Sequence, residues 1–98
     1  MKLVTVVAQQ DDASALTEAL RQADYRSTRL DTAGGFLRRG NATLLIGVEA
    51  DQVADVFRIV QETCRPRSVA PAAGRPAESV DTGAATIFVL DVARFERL

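Results

Sequence analysis

The sequence predicts an α+β fold, a ferredoxin-like βαββαβ sandwich in which two helices cover one face of a four-stranded sheet. Three observations predict it. Stretches 2–8, 25–32, 42–48 and 85–92 have the length and the apolar or alternating character of strands. Two stretches, following Asp12 and Asp51, repeat apolar residues at helical spacing. The order strand, helix, strand, strand, helix, strand is that of a split βαβ layer. The 98 residues suit one domain, 1–98, and 47% apolar with 26% charged residues is a soluble globular composition.

The first strand, Lys2 to Ala8, is valine-rich with apolar residues of both parities, as a central strand is. Its basic then apolar start resembles a signal peptide only faintly. Gln9, Gln10, Asp11 and Asp12 cut it short and no small-residue cleavage site follows, so the chain is placed in the cytoplasm. Asp11 or Asp12 can cap the first helix, whose stripe is Leu16, Ala19, Leu20 and Ala23, and which should end near Asp24. Tyr25 to Thr32 is the most polar strand, an edge, with Arg26, Thr28, Leu30 and Thr32 on one face.

Ala42 to Val48 is the third strand. Gly47 within it has no side chain to pack and marks either a close approach to the backbone or a β-bulge. Asp51 is the expected cap of the second helix, with Val53, Val56, Phe57, Val60 and Cys64 as its stripe. The lone cysteine reads as a core hydrophobe, excludes an internal disulfide and fits a reducing compartment. Residues 65–83, with Pro66, Pro71, Pro76 and Gly74, read as a long mobile loop. The last strand follows, then a short tail whose Phe95 and Leu98 are expected to dock.

Two helices cover one face of such a sheet, yet strands one, three and four are apolar on both faces. An uncovered apolar face promotes association, so the pattern predicts a homo-oligomer.

Between the second and third strands lies Thr32-Ala33-Gly34-Gly35-Phe36-Leu37-Arg38-Arg39-Gly40-Asn41. Backbone donors, an aromatic ring and cations within ten residues suit an anion carrying an aromatic group. The same residues also suit a wide hairpin that folds Phe36 and Leu37 onto the core. Residues 25–41 hold four arginines against one aspartate, a net of +3, so the remainder of this −1 chain carries −4. A local basic patch on an acidic body fits a small anion, or a solvated arginine face, and not a nucleic-acid polymer.

There is no histidine, and the cysteine reads as buried, so nucleophilic triads and Cys/His metal clusters are excluded. No Walker or Rossmann fingerprint is present, and no run is long enough to cross a bilayer. The sequence predicts a binding protein, not an enzyme, with neither metal nor cofactor.

The run 32–43, followed by Leu45-Ile46-Gly47-Val48-Glu49, resembles the signature of the PII-like cyclic di-AMP receptors. So do Tyr25-Arg26-Ser27-Thr28-Arg29-Leu30 before it and residues 85–92 with Phe95 after it. The resemblance covers nearly the whole chain except about 65–83. It implies a PII-like homotrimer with cyclic dinucleotide in the intersubunit clefts, signalling through loop rearrangement to an effector protein. The short loop between strands two and three and the long one before the last strand follow these receptors rather than PII proteins proper.

Carried over, the resemblance sets Arg26 and Thr28 beside phosphate or ribose and wraps the backbone of Gly35, Phe36 and Leu37 around the nucleotide, with Phe36 against adenine. It gives adenine edges to Asn41 and the Gly47 backbone, and lines the cleft with Phe88. Where the family often has a penultimate glutamine, this chain has Arg97, which can pair with phosphate or stay in solvent. Two alternatives accompany this reading: a PII-like trimer for ATP or ADP, and a structural interaction trimer that has lost its ligand.

Overall fold

The computed structural model describes residues 1–30, 40–64, 67–69, 80–82 and 85–98. The elements are β1 (Lys2–Gln9), α1 (Gln10–Gln22), β2 (Ser27–Leu30), β3 (Asn41–Val48), a 3-10 turn (Ala50–Gln52), α2 (Val53–Thr63), β4 (Arg67–Val69), β5 (Val80–Thr82) and β6 (Ala85–Asp91). The main sheet runs β2-β3-β1-β6 with every neighbouring pair antiparallel. A four-stranded antiparallel sheet with two helices in this order is compatible with the ferredoxin-like sandwich.

Strand alternation decides what the helices cover. Val4, Val6 and Ala8 of β1 and Ala42, Leu44, Ile46 and Val48 of β3 face the helices and are buried. Leu16 and Leu20 of α1 and Val56, Ile59 and Val60 of α2 close the core from above. Ala13 completes the α1 stripe, whereas Ala23, expected on it, is exposed at the helix end. Cys64 is a buried free thiol at the end of α2, as its place on the stripe predicts.

Both helix starts differ from expectation. The N-cap of α1 is Gln9, so Asp11 and Asp12 sit inside the first turn. There their charges favour the positive end of the helix dipole, and the N-cap position itself is Gln9. The Gln10 N–H is satisfied instead by the Gly40 carbonyl at 2.7 Å. The turn before α2 is closed by a capping box, not by Asp51: Glu49 and Gln52 bond reciprocally, with the Glu49 N–H donating to Gln52 Oε1 at 2.9 Å.

The end of α1 governs the start of β2. Asp24 has φ of +66°, its N–H donates to the Arg21 carbonyl at 3.0 Å, and the Tyr25 N–H donates to Leu20 at 2.8 Å. This pair of bonds is a Schellman closure, with an aspartate where glycine is commonest. It turns the chain sharply from helix into strand.

Within 65–83, expected as loop, β4 and β5 pair antiparallel, with Ser68 opposite Asp81. Three-residue strands rich in Ser, Asp and Arg carry too little alternation to be read from sequence. The tail also differs: Phe95 and Leu98 are exposed in the single chain.

Candidate functional site

The face of the sheet away from the helices is covered by no helix. Register places Thr28, Leu45, Thr5 and Phe88 in one row across it, and Gly47, Leu3 and Leu90 in the next. At the β2–β3 end of these rows is a cavity of about 620 Å³. Leu3, Leu45 and Gly47 form its floor, Arg26 and Thr28 one side, and Phe95 and Arg97 of the tail another.

Gly47 shapes this floor by omission. The β1–β3 ladder passes through it opposite Leu3 without a bulge, so the bulge alternative does not hold. A Cβ built there meets only the Met1 sulfur, at 4.0 Å. Packing within the chain therefore does not require glycine; its consequence is an open stretch of backbone. Gly40, by contrast, has φ of +88° and needs glycine for the turn into β3.

Two cations line the cavity from chain positions far apart. Among the described residues, Arg26 and Arg97 pair with no carboxylate. Arg21 is held by Glu18, Arg58 by Asp55 and Glu62, and Arg94 by Glu96. The tail's one carboxylate side chain beyond Asp91, Glu96, is taken by Arg94. Asp24 is the carboxylate on the cavity wall. Two guanidinium groups over an apolar floor suit a phosphate-bearing ligand with a flat base.

A clamp on Tyr25 fixes the chain next to Arg26, just ahead of β2. The Tyr25 hydroxyl donates to Asp55 Oδ2 at 2.7 Å, and Arg58 donates to Asp55 Oδ1 from Nη2 at 2.7 Å and Nε at 3.1 Å. The Arg58 guanidinium, then the Tyr25 hydroxyl, hold the Asp55 carboxyl below its usual range. The hydrogen bond to Asp55 in turn pushes the Tyr25 phenol up. Burial raises the Cys64 thiol to about 11, so it offers no nucleophile near neutrality.

The structure brings Arg26, Thr28, Gly47 and Arg97 around one cavity. It separates the others within a chain. Phe88 is 55% exposed and three strand spacings from Thr28, about 14 Å. Asn41 lies six residues along β3 from Gly47, about 20 Å. Gly35, Phe36 and Leu37 lie outside the described residues; the segment holding them is anchored at Leu30 and Gly40, at the Asn41 end.

Sequence reasoning passed over Leu3, Tyr25, Leu45 and Phe95 as cavity residues. The signal for Leu3 and Leu45 was their place on the helix-free face; Tyr25 and Phe95 stood in the stretches that carry the family resemblance, with no contact assigned to either.

The full length, residues 1–98, matches the model of the cyclic-di-AMP receptor family. The chain belongs to that family. A crystal structure of a functionally unknown protein from Pediococcus pentosaceus ATCC 25745 is similar, with 36% identity and a TM-score of 0.76 over 99% of this chain and 96% of that one. The PII-like cyclic di-AMP receptor family is a signalling family and is not known for catalysis. Membership supports a cyclic di-AMP receptor role, with the nucleotide as ligand rather than cofactor. Among the described residues no group could hold a metal ion, and no helix is long and apolar enough to cross a membrane.

Proposed function

We propose that this receptor is a cytoplasmic homotrimer of single-domain subunits that holds cyclic di-AMP in clefts between neighbours. Occupancy is passed through loop rearrangement to an effector protein, without catalysis. One observation carries the reading: the expected contacts divide between two ends of one helix-free face. Arg26, Thr28, Gly47 and Arg97 surround the cavity, while Asn41 lies about 20 Å from Gly47 along β3 and Phe88 about 14 Å from Thr28 across the sheet. A dinucleotide contacting both sets takes them from two chains.

Apolar exposure on the same sheet favours such an assembly. Phe88, Leu90 and Leu30 are 55%, 50% and 42% exposed in the isolated chain. In the cleft, Arg26 pairs with a phosphate through charge-assisted hydrogen bonds, and the Thr28 hydroxyl donates to phosphate or ribose. The open backbone at Gly47 admits an adenine edge. Asn41, Phe36 and the backbone of Gly35 and Leu37 come from the neighbouring subunit, with adenine on the Phe36 ring; Phe88 lines the same intersubunit surface. Arg97 stands where it can meet the second phosphate.

Calorimetric titration with cyclic dinucleotides, ATP and ADP tests the function. The expected result is saturation near one cyclic di-AMP per subunit. Tighter binding of ATP or ADP would move the protein to the PII type. No heat and no thermal shift with any nucleotide would refute a receptor and leave the structural trimer. Sedimentation tests the assembly separately, and a monomer at micromolar concentration would refute it.

A further inference from the structure

We propose that the Tyr25 ring forms a wall of the nucleotide site, against which the ligand's base packs, and that Asp55 on α2 is the positioning residue that fixes it. The inference rests on the receptor reading above and adds two residues to it.

Tyr25 has three commitments. It packs against the hydrophobic core, it is one of the residues lining the 620 Å³ cavity, and its hydroxyl donates to Asp55 at 2.7 Å. The residue also completes the Schellman closure of α1, its N–H donating to Leu20, immediately before Arg26. Its placement therefore sets the origin of the strand face that presents Arg26 and Thr28.

Asp55 has little freedom to move. One carboxylate oxygen accepts from Tyr25 and the other from two nitrogens of Arg58. Arg58 is held from the next turn by Glu62 at 3.0 Å. The chain Glu62–Arg58–Asp55–Tyr25 ties α2 to the cavity wall. A ring held at both ends loses little entropy when a planar base packs on it, which is the advantage of preorganisation. The stacking partner is an adenine-type base, since the phosphates are drawn to Arg26.

The protein carries its own reporter, because Tyr25 is its one tyrosine and it has no tryptophan. Intrinsic emission and the alkaline absorbance change both report this ring alone. Cyclic di-AMP titrated into wild type should change tyrosine emission with the same midpoint as the calorimetric heat. Asp55→Ala should weaken binding about 3- to 10-fold, as should Tyr25→Phe, and the double variant should lose no more than either single one. Asp55→Asn, which keeps an oxygen for the phenol, should recover part of the loss. Asp55→Ala should also bring the phenol's titration down toward the ordinary value, about 10.

Saturating heat with unchanged tyrosine emission would overturn the wall. Unchanged affinity in both folded Asp55→Ala and Tyr25→Phe would overturn the positioning role. No heat in wild type would overturn the receptor reading and this inference together, so the two failures are distinct. Should Asp55→Ala not fold, Tyr25→Phe, which keeps the ring, decides the positioning role alone.

Discussion

Gly47→Ala should make this protein more stable and a poorer receptor. Glycine inside a strand costs roughly 0.5–1 kcal/mol relative to alanine. Gly47 does not have the positive φ that would reverse this, as Gly40 does. The new methyl would meet only the Met1 sulfur at 4.0 Å, an ordinary van der Waals contact. The full gain of 0.5–1 kcal/mol, in order of magnitude, is therefore expected, and it raises the melting temperature by about 2–8 °C for a domain of this size. If the proposed site is right, the same methyl stands on the cavity floor where a base edge would approach the backbone. Overpacking by one carbon costs about 1–3 kcal/mol, which is about five- to more than a hundredfold in Kd. Thermal melts with and without cyclic di-AMP, joined to calorimetry, separate the two effects. The variant should melt higher alone and gain less from nucleotide. A lower melting temperature without ligand would show that the strand needs glycine; an unchanged Kd would show that no ligand approaches this backbone.

Arg26→Ala should weaken cyclic di-AMP binding about tenfold or more and flatten its dependence on salt, since a phosphate–guanidinium pair is lost; equal salt slopes in titrations of both proteins would remove Arg26 from the phosphate. Asp24→Gly should relieve the left-handed residue at the end of α1, adding about 0.5–1 kcal/mol of stability in chemical denaturation, and should tighten anion binding by removing a carboxylate beside Arg26. Native Cys64 should resist alkylation at pH 8 and react on unfolding. Its thiol is raised to about 11, so the stability its burial contributes is complete below the unfolded value near 8.5 and declines as pH rises through 11. Cys64→Ala should flatten that alkaline decline.

The fold was legible because its signals are periodic. Leu44, Ile46 and Val48 alternate against Thr43, Leu45 and Gly47, and Leu16 and Leu20 share a helix face, so layers follow from residue order. The caps were less legible. Asp11 and Asp51 are good capping residues, but the Gly40 carbonyl and the Glu49–Gln52 box occupy those roles, and the first depends on a residue distant in sequence. The cavity was legible in part: Arg26 and Thr28 stand two residues apart, and Gly47 is an unfilled position on the neighbouring strand that register sets beside them. Phe95 and Tyr25 were not, because their places depend on the course of the tail after β6 and on the turn at Asp24. The expected docking of the tail failed for Leu98, which is fully exposed in the single chain.

If the nucleotide takes its contacts from two chains, affinity and assembly are thermodynamically linked. Each bound ligand then stabilises the association by as much as association strengthens the binding. The open face bears on which comes first. Leu30, Phe88 and Leu90 are apolar and exposed in the single chain, so in the proposed assembly their burial would favour association without ligand. The nucleotide then meets a cleft already formed, and the affinity of an assembled receptor should not change with protein concentration. Below the concentration at which subunits separate, apparent affinity should fall on dilution, because each subunit alone carries half of the contacts. The binding energy not used in holding chains together is then available to shift the loops that an effector reads.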